Sequence, residues 1–283
     1  MAEPLRISFL SDYGLADEFV GVVHGVVARI APDCRVIDVT HQIPRGDVRA
    51  GALALLRAVQ YLPQGVALAV VDPGVGTERR SIAVATAWGC FVGPDNGLLA
   101  PAVAMVGGAE RIVSLESPDF HLPREGATFD GRDVFAPAAA ALASGQAELG
   151  DLGPDVPLDS VTPLLLPLAE VEGTAVRGEA WWIDAFGNVQ TNVSPDELAT
   201  LGLGPGDDVE VTIAGMAHRL PWRAAYGDVE PGQGLVYVDS YGLVAIGVRE
   251  GRADADYGLV SGMAVVMGAP TWDELRSASP PRT

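Results

Sequence analysis

The sequence predicts an α/β protein in two parts: an N-terminal α/β domain with a mostly parallel sheet over residues 1–165, and a smaller all-β, barrel-like domain over residues 166–283. Three observations predict it. The 283 residues exceed the usual length of one domain. The first half alternates strand-like with helix-like apolar runs. The second half changes to short alternating runs separated by Gly-Asp, Pro-Gly and Tyr-Gly turns.

Taken in order, RISFL (6–10) and EFVGVVHGVVARI (18–30), which stops before Pro32, form a strand–helix unit. RVIDV (35–39) predicts a second strand and DVRAGALALLRAVQYL (47–62) a second helix. VALAVV (66–71) has no polar alternation, the pattern of a strand buried on both faces of a parallel sheet. SIAVATA (81–87) and CFVG (90–93) continue as strands, and GPDNG (93–97) as a tight turn. VFAPAAAALASG (134–145) predicts an Ala-rich helix ended by glycine.

Pro154, Pro157, Pro163 and Pro167 interrupt residues 149–173 and mark an interdomain connection. Beyond it GEAWWID, DVEVTI, GLVYVD, GLVAIGV and GMAVVMG predict strands, and only DELATL (196–201) a helix. The tail SASPPRT (277–283) predicts disorder.

Composition narrows the chemistry. Eighteen basic against thirty-seven acidic residues give a net charge of −19, which repels nucleic acid and anionic lipid and suits a cationic small ligand. All eighteen basic residues are arginine. Without lysine there is no P-loop, no pyridoxal Schiff base and no kinase strand lysine. Cys34 and Cys90 predict buried structural thiols, and His24, His41, His121 and His218 lack ligand spacing, which disfavours zinc and leaves a carboxylate magnesium site open; no metal and no cofactor are expected. No apolar run reaches a membrane span and the N-terminus lacks a signal-peptide pattern, so a cytoplasmic location is expected.

In an open parallel sheet, ligands bind outside the carboxyl ends of the strands, which points to the loops after Leu10 and Val71. SDYGLADEF offers Asp12 and Asp17, which read equally well as a turn residue and a helix cap. VDPGVGTERR (71–80) places Asp72 at a strand end, then Gly74 and Gly76, then Arg79; alone it reads equally as a Pro-Gly turn or a ligand loop. TFDGRDVFAP (128–137) crowds Asp130, Arg132 and Asp133, the last a candidate helix cap. WWIDAFGNVQTN (181–192) gathers Asp184, Phe186 and Asn188, a combination that suits a purine base or, more commonly, a β-turn with a core Phe.

Six strings occur in a fixed order: SDYGLADEF, VVDPGVGTERR, GPDNGLL, TFDGRDVFAP, IDAFGNVQTN and VDSYGLVAI. Together, from about Arg6 to about Met267, they resemble the S-adenosylmethionine hydroxide adenosyltransferases, relatives of the fluorinase and chlorinase enzymes. The resemblance implies an α/β domain and a barrel-like domain in a homotrimer, with S-adenosylmethionine bound between subunits and hydrolysed at C5′ to adenosine and L-methionine. It implies that Asp72 and Arg79 belong to an Asp-Arg-His set handling the attacking water, with Asp130 standing where that pattern has histidine. It further implies Asp12 on the ribose hydroxyls, Asp17, Asp184 and Ser240 facing the methionine amino end, and Phe186 and Asn188 addressing adenine. Tyr241 stands where a halogenase relative has arginine.

Two other readings compete. A halogenase of the same fold would use chloride or fluoride, but a carboxylate at Asp72 repels a halide nucleophile. A non-catalytic sensor binding adenosine or S-adenosylmethionine would tolerate Asp130.

Overall fold

The computed structural model describes residues 6–270, in two compact units divided between Leu165 and Leu166. The tail predicted to be disordered lies outside the described residues.

The first unit begins with β1 (Arg6–Ser11), α1 (Phe19–Ile30), β2 (Arg35–Thr40), α2 (Val48–Val59) and β3 (Val66–Val70). There follow β4 (Ser81–Ala85), β5 (Cys90–Pro94), α3 (Ala100–Met105), β6 (Arg111–Ser114) and α4 (Ala136–Ser144). The six strands make one sheet in the order β2-β1-β3-β5-β4-β6. β2, β1, β3 and β5 run parallel, while β4 pairs antiparallel with both β5 and β6. Alternation of side chains along β3 explains how both faces are buried. Leu68 and Val70 join a core with Val23 and Val27 of α1 and the alanines of α4. Ala67 and Ala69 join a second core with Leu55 and Val59 of α2 and Ala102 of α3.

Asp47 starts α2 by accepting the Ala50 amide at 2.8 Å, a side-chain cap. Glu18, not Asp17, precedes α1, and it caps nothing through its side chain. The helix predicted from residue 134 begins earlier, as a π-helical turn at Gly131–Phe135 that runs into α4. Such widened turns insert a residue and re-aim the side chains around them. Asp133 is therefore no helix cap: it is fully buried inside that turn and takes two bonds from Arg132, at 2.6 and 2.9 Å. Cys34 and Cys90 are half-buried free thiols rather than fully buried ones, and burial pushes both upward from the ordinary thiol range.

The second unit holds β7 (Glu170–Glu172), β8 (Ala175–Ile183), β9 (Val189–Thr191), α5 (Pro195–Ala199), β10 (Asp208–Ile213) and β11 (Met216–Pro221). It ends with β12 (Gly234–Val238), β13 (Val244–Val248), α6 (Ala253–Tyr257) and β14 (Ala264–Gly268). The antiparallel sheet runs β11-β10-β14-β8-β9-β13-β12, with β7 beside β8. A bridge between Trp222 and Val236 brings β12 back to the residue after β11, so the sheet nearly closes. Val209, Val211 and Ile213 alternate inward from β10 onto Val176, Ile246, Val265 and Met267, all fully buried. Near-closure leaves little open strand edge.

Candidate active site

Asp72 follows β3, whose apolar residues lock it into the centre of the sheet. The next residues turn back sharply, Val75 donating its amide to the Asp72 carbonyl at 3.2 Å. Gly76 adopts φ +79°, and a Cβ there would stand 2.9 Å from the Ala127 carbonyl, so glycine lets this loop approach the one carrying Asp130.

Arg79 returns from that turn against Asp72. Its Nε donates to Asp72 Oδ1 at 2.9 Å, and its Nη2 donates to Asp72 Oδ2 and, at 2.6 Å, to Asp130 Oδ2. Nη1 donates to Ser81 Oγ at 2.6 Å. These bonds use four of the five guanidinium N–H groups and leave one on Nη1. The Phe135 ring lies under the guanidinium, 5.3 Å from its carbon. Side chains of Asp72, Arg79 and Asp130 are each about nine-tenths buried or more. Burial works against the Arg79 charge, but the bonds and charges of Asp72 and Asp130 outweigh it and raise the arginine above its ordinary value.

Arg124, which the sequence did not single out, donates from Nη1 to Asp130 Oδ1. The four groups thus alternate Asp72, Arg79, Asp130, Arg124 and sum to zero charge. Where a histidine would offer one ring edge, Asp130 bridges two guanidinium groups.

Tyr13 closes the other side. Burial, followed by the charges of Asp12, Asp72 and Asp130, raises its phenol well above the ordinary tyrosine range, so it keeps its proton. A Cβ on Gly131 would lie 1.9 Å from the Tyr13 hydroxyl, so only glycine fits at the start of the π-helical turn. Asp12 accepts the Gly46 amide on Oδ2 at 2.8 Å. Asp17 is exposed. The first unit therefore brings Asp12, Asp72, Arg79 and Asp130 into one neighbourhood, and their shared influence on Tyr13 shows it.

The remaining predicted residues lie in the second unit. Asp184 accepts the Phe186 and Asn188 amides on Oδ1, at 2.9 and 2.8 Å, and the Asn188 amide group on Oδ2 at 2.8 Å. It shapes its own turn, but the simpler reading of that string also put Phe186 in the core, and there the structure differs. Phe186 is 77% exposed as a result. Asp184, Asn188 and Ser240 line a cavity of about 350 Å³ together with Trp182, Tyr237 and Asp239. Gln190 Nε2 donates to Asp239 Oδ2, and Tyr226 donates to Tyr237 across 2.7 Å between hydroxyls. Carboxylates among aromatic rings suit a cationic or planar heteroaromatic ligand.

No helix among the described residues is long and apolar enough to cross a membrane.

Residues 7–153 match the SAM hydroxide adenosyltransferase N-terminal domain and residues 178–266 the corresponding C-terminal domain. The chain is 49% identical over 254 residues to a Salinispora arenicola protein named (R)-S-adenosyl-L-methionine hydrolase, covering 89% of this chain and 94% of that one. It is 27% identical over 292 residues to a Nocardia brasiliensis fluorinase, covering 92% and 95%. A crystal structure of an uncharacterized conserved protein from Thermotoga maritima superposes with TM-score 0.87 at 35% identity, covering 93% of this chain and 99% of that chain.

Proposed function

The chain belongs to the SAM hydroxide adenosyltransferase family, and on that premise we propose that it hydrolyses S-adenosylmethionine to adenosine and L-methionine. Water oxygen forms a bond to ribose C5′ while the C5′–S bond breaks. The bonding pair leaves with the methionine sulfur, which becomes a neutral thioether, and the water proton is released to solvent. The relatives' name specifies the (R) sulfonium epimer, and the same epimer is the proposed substrate here.

The observation that carries this reading is the buried Asp72–Arg79–Asp130 array, with one Arg79 Nη1 N–H beyond its four bonds. Sulfonium is a good leaving group, so catalysis needs a water held in line behind C5′ more than a strong base. Both Asp72 oxygens already accept from Arg79, which suits Asp72 to orienting water. The remaining Arg79 donor stabilises hydroxide character as it develops. The ligand would reach Asp12 Oδ1 through a ribose hydroxyl, since Oδ2 holds Gly46.

Fluoride or chloride would meet two buried carboxylates at this place, which disfavours a halide nucleophile. The lower identity to fluorinase agrees with hydrolysis. A homotrimer with substrate between subunits, no cofactor and a cytoplasmic location complete the proposal. The exposed Phe186 beside an open, aromatic cavity supports a site completed by another subunit.

Turnover of S-adenosylmethionine in ¹⁸O-labelled water tests the reaction. Label in the adenosine 5′-hydroxyl is the expected result. Binding without adenosine release, or a halide-dependent 5′-halo product, overturns it. Light scattering on the purified protein tests the trimer.

A further inference from the structure

Away from the proposed catalytic array, α1 and the end of β2 bring together two histidines and an aspartate that the sequence separates without ligand spacing. His24 projects from α1, Asp38 from β2, and His41 follows β2 directly. His24 Nε2 lies 2.8 Å from Asp38 Oδ1, and His41 Nε2 lies 3.0 Å from the same oxygen. The three potential ligand atoms all fall within 4.8 Å of one another. This convergence corrects the expectation that the histidines are scattered.

His41 carries a second, independent sign. Its side chain is 97% buried, and its Nε2 makes no aligned hydrogen bond although Asp38 Oδ1 stands 3.0 Å away. His24 Nε2, by contrast, is hydrogen-bonded to Asp38 Oδ1, so an ion here would replace that bond with coordination by both groups. For Zn–N and Zn–O bonds of about 2.0–2.2 Å, tetrahedral geometry puts ligand atoms about 3.3 Å apart, a few tenths of an ångström from the two histidine–aspartate distances.

The other ring nitrogen of His41 is already committed. Nδ1 sits 2.8 Å from Ser11 Oγ. A proton on Nδ1, donated to Ser11, orients the ring and presents the Nε2 lone pair, the arrangement in which metal-bound histidines are held. That lone pair would then face the Asp38 carboxylate with nothing between to reconcile them. A cation resolves it.

We propose that His24 Nε2, Asp38 Oδ1 and His41 Nε2 form a binding site for a divalent transition-metal ion of the zinc class. Two imidazoles and one carboxylate are the donor set such ions take, and hard magnesium or calcium would want more oxygen. Asp38 is 45% and His24 36% exposed, which leaves an entry path and room for a water ligand. The ion would brace the loop that follows β1: Ser11 bonds His41, and the Gly14 amide donates to the His41 carbonyl at 2.7 Å, on either side of Asp12.

Zn²⁺ titrated calorimetrically into the chelator-treated full-length protein tests the site, with His218→Ala as a control in the second unit. Saturation at one equivalent is expected, with affinity weakened at least about tenfold in both His24→Ala and Asp38→Asn and unchanged in His218→Ala. Because His24 is on a partly exposed helix face, its replacement leaves the fold in place. Co²⁺ should give visible d–d absorption that His24→Ala loses. Absence of saturable binding, or equal affinity in the wild type and both ligand variants, overturns the proposal. Neither readout depends on hydrolytic activity, so failure of this site and failure of the proposed reaction are distinguishable.

Discussion

At the scale of single residues, the decisive feature is a guanidinium held between two buried carboxylates. Asp72→Asn keeps the shape of the side chain while removing its charge, so turnover should fall about 100-fold or more with substrate binding little changed. Adenosine release by chromatography and calorimetric binding separate the two effects. Arg79→Ala is a harsher change. It leaves Asp72 and Asp130 buried without the cation that reconciles them, and the fold should lose about 3–5 kcal/mol in urea unfolding besides losing activity. Asp130 and Arg124 form a unit, so their variants should not be additive. Asp130→His alone strands Arg124 and should lower turnover; adding Arg124→Ala should recover part of the loss. A double change no better than the single would show that Arg124 plays no part in the array. Arg124 gave no signal in the sequence because it lies in an irregular loop, LPREG, without period or motif; only the fold sets it against Asp130.

At the scale of elements, the loops work because glycines let them approach one another. Gly131→Ala would drive a methyl group to 1.9 Å from the Tyr13 hydroxyl, so either the π-helical turn or the ring must move. A stability loss of about 1–3 kcal/mol is expected, read as a lower urea midpoint. Tyr13→Phe removes the closest atom and leaves Cζ at 3.0 Å, so the Gly131→Ala penalty should shrink in that background. Long periodic elements were legible in the sequence: β1, α1, β2, α2 and β3 lie where apolar runs and the stop at Pro32 put them. Several short ones were not. α3 and α6 span six and five residues, too few for a helical period to stand out. β9 is three fully buried residues inside a motif read for its polar groups, and β11 alternates weakly, with Met216 and Ala217 both exposed. The π-helical turn is invisible to a 3.6-residue pattern because its five residues, GRDVF, are too few to show a changed period. Motif order located Asp72, Arg79 and Asp130; no pattern in the chain could join His24 to Asp38, because their approach depends on α1 packing beside β2.

At the scale of the whole molecule, charge is the property that sequence alone settles. The net charge is −19, carried without a single lysine, while S-adenosylmethionine brings a sulfonium and an ammonium against one carboxylate and is a net cation. A long-range field of this sign concentrates such a substrate near the surface and leaves the bond-breaking step untouched. Salt screens that field over about 10 Å at 0.1 M ionic strength, but it does not reach the Asp72–Arg79–Asp130 array, whose pairs are buried and in direct contact. Raising sodium chloride from about 0.02 M to about 0.5 M should therefore raise KM by a few-fold and leave kcat nearly constant. Sodium chloride and sodium sulfate at matched ionic strength should act alike, which separates screening from a halide effect. A fall in kcat with unchanged KM would place the salt sensitivity inside the buried array, and a dependence on chloride alone would revive a halide-using reaction.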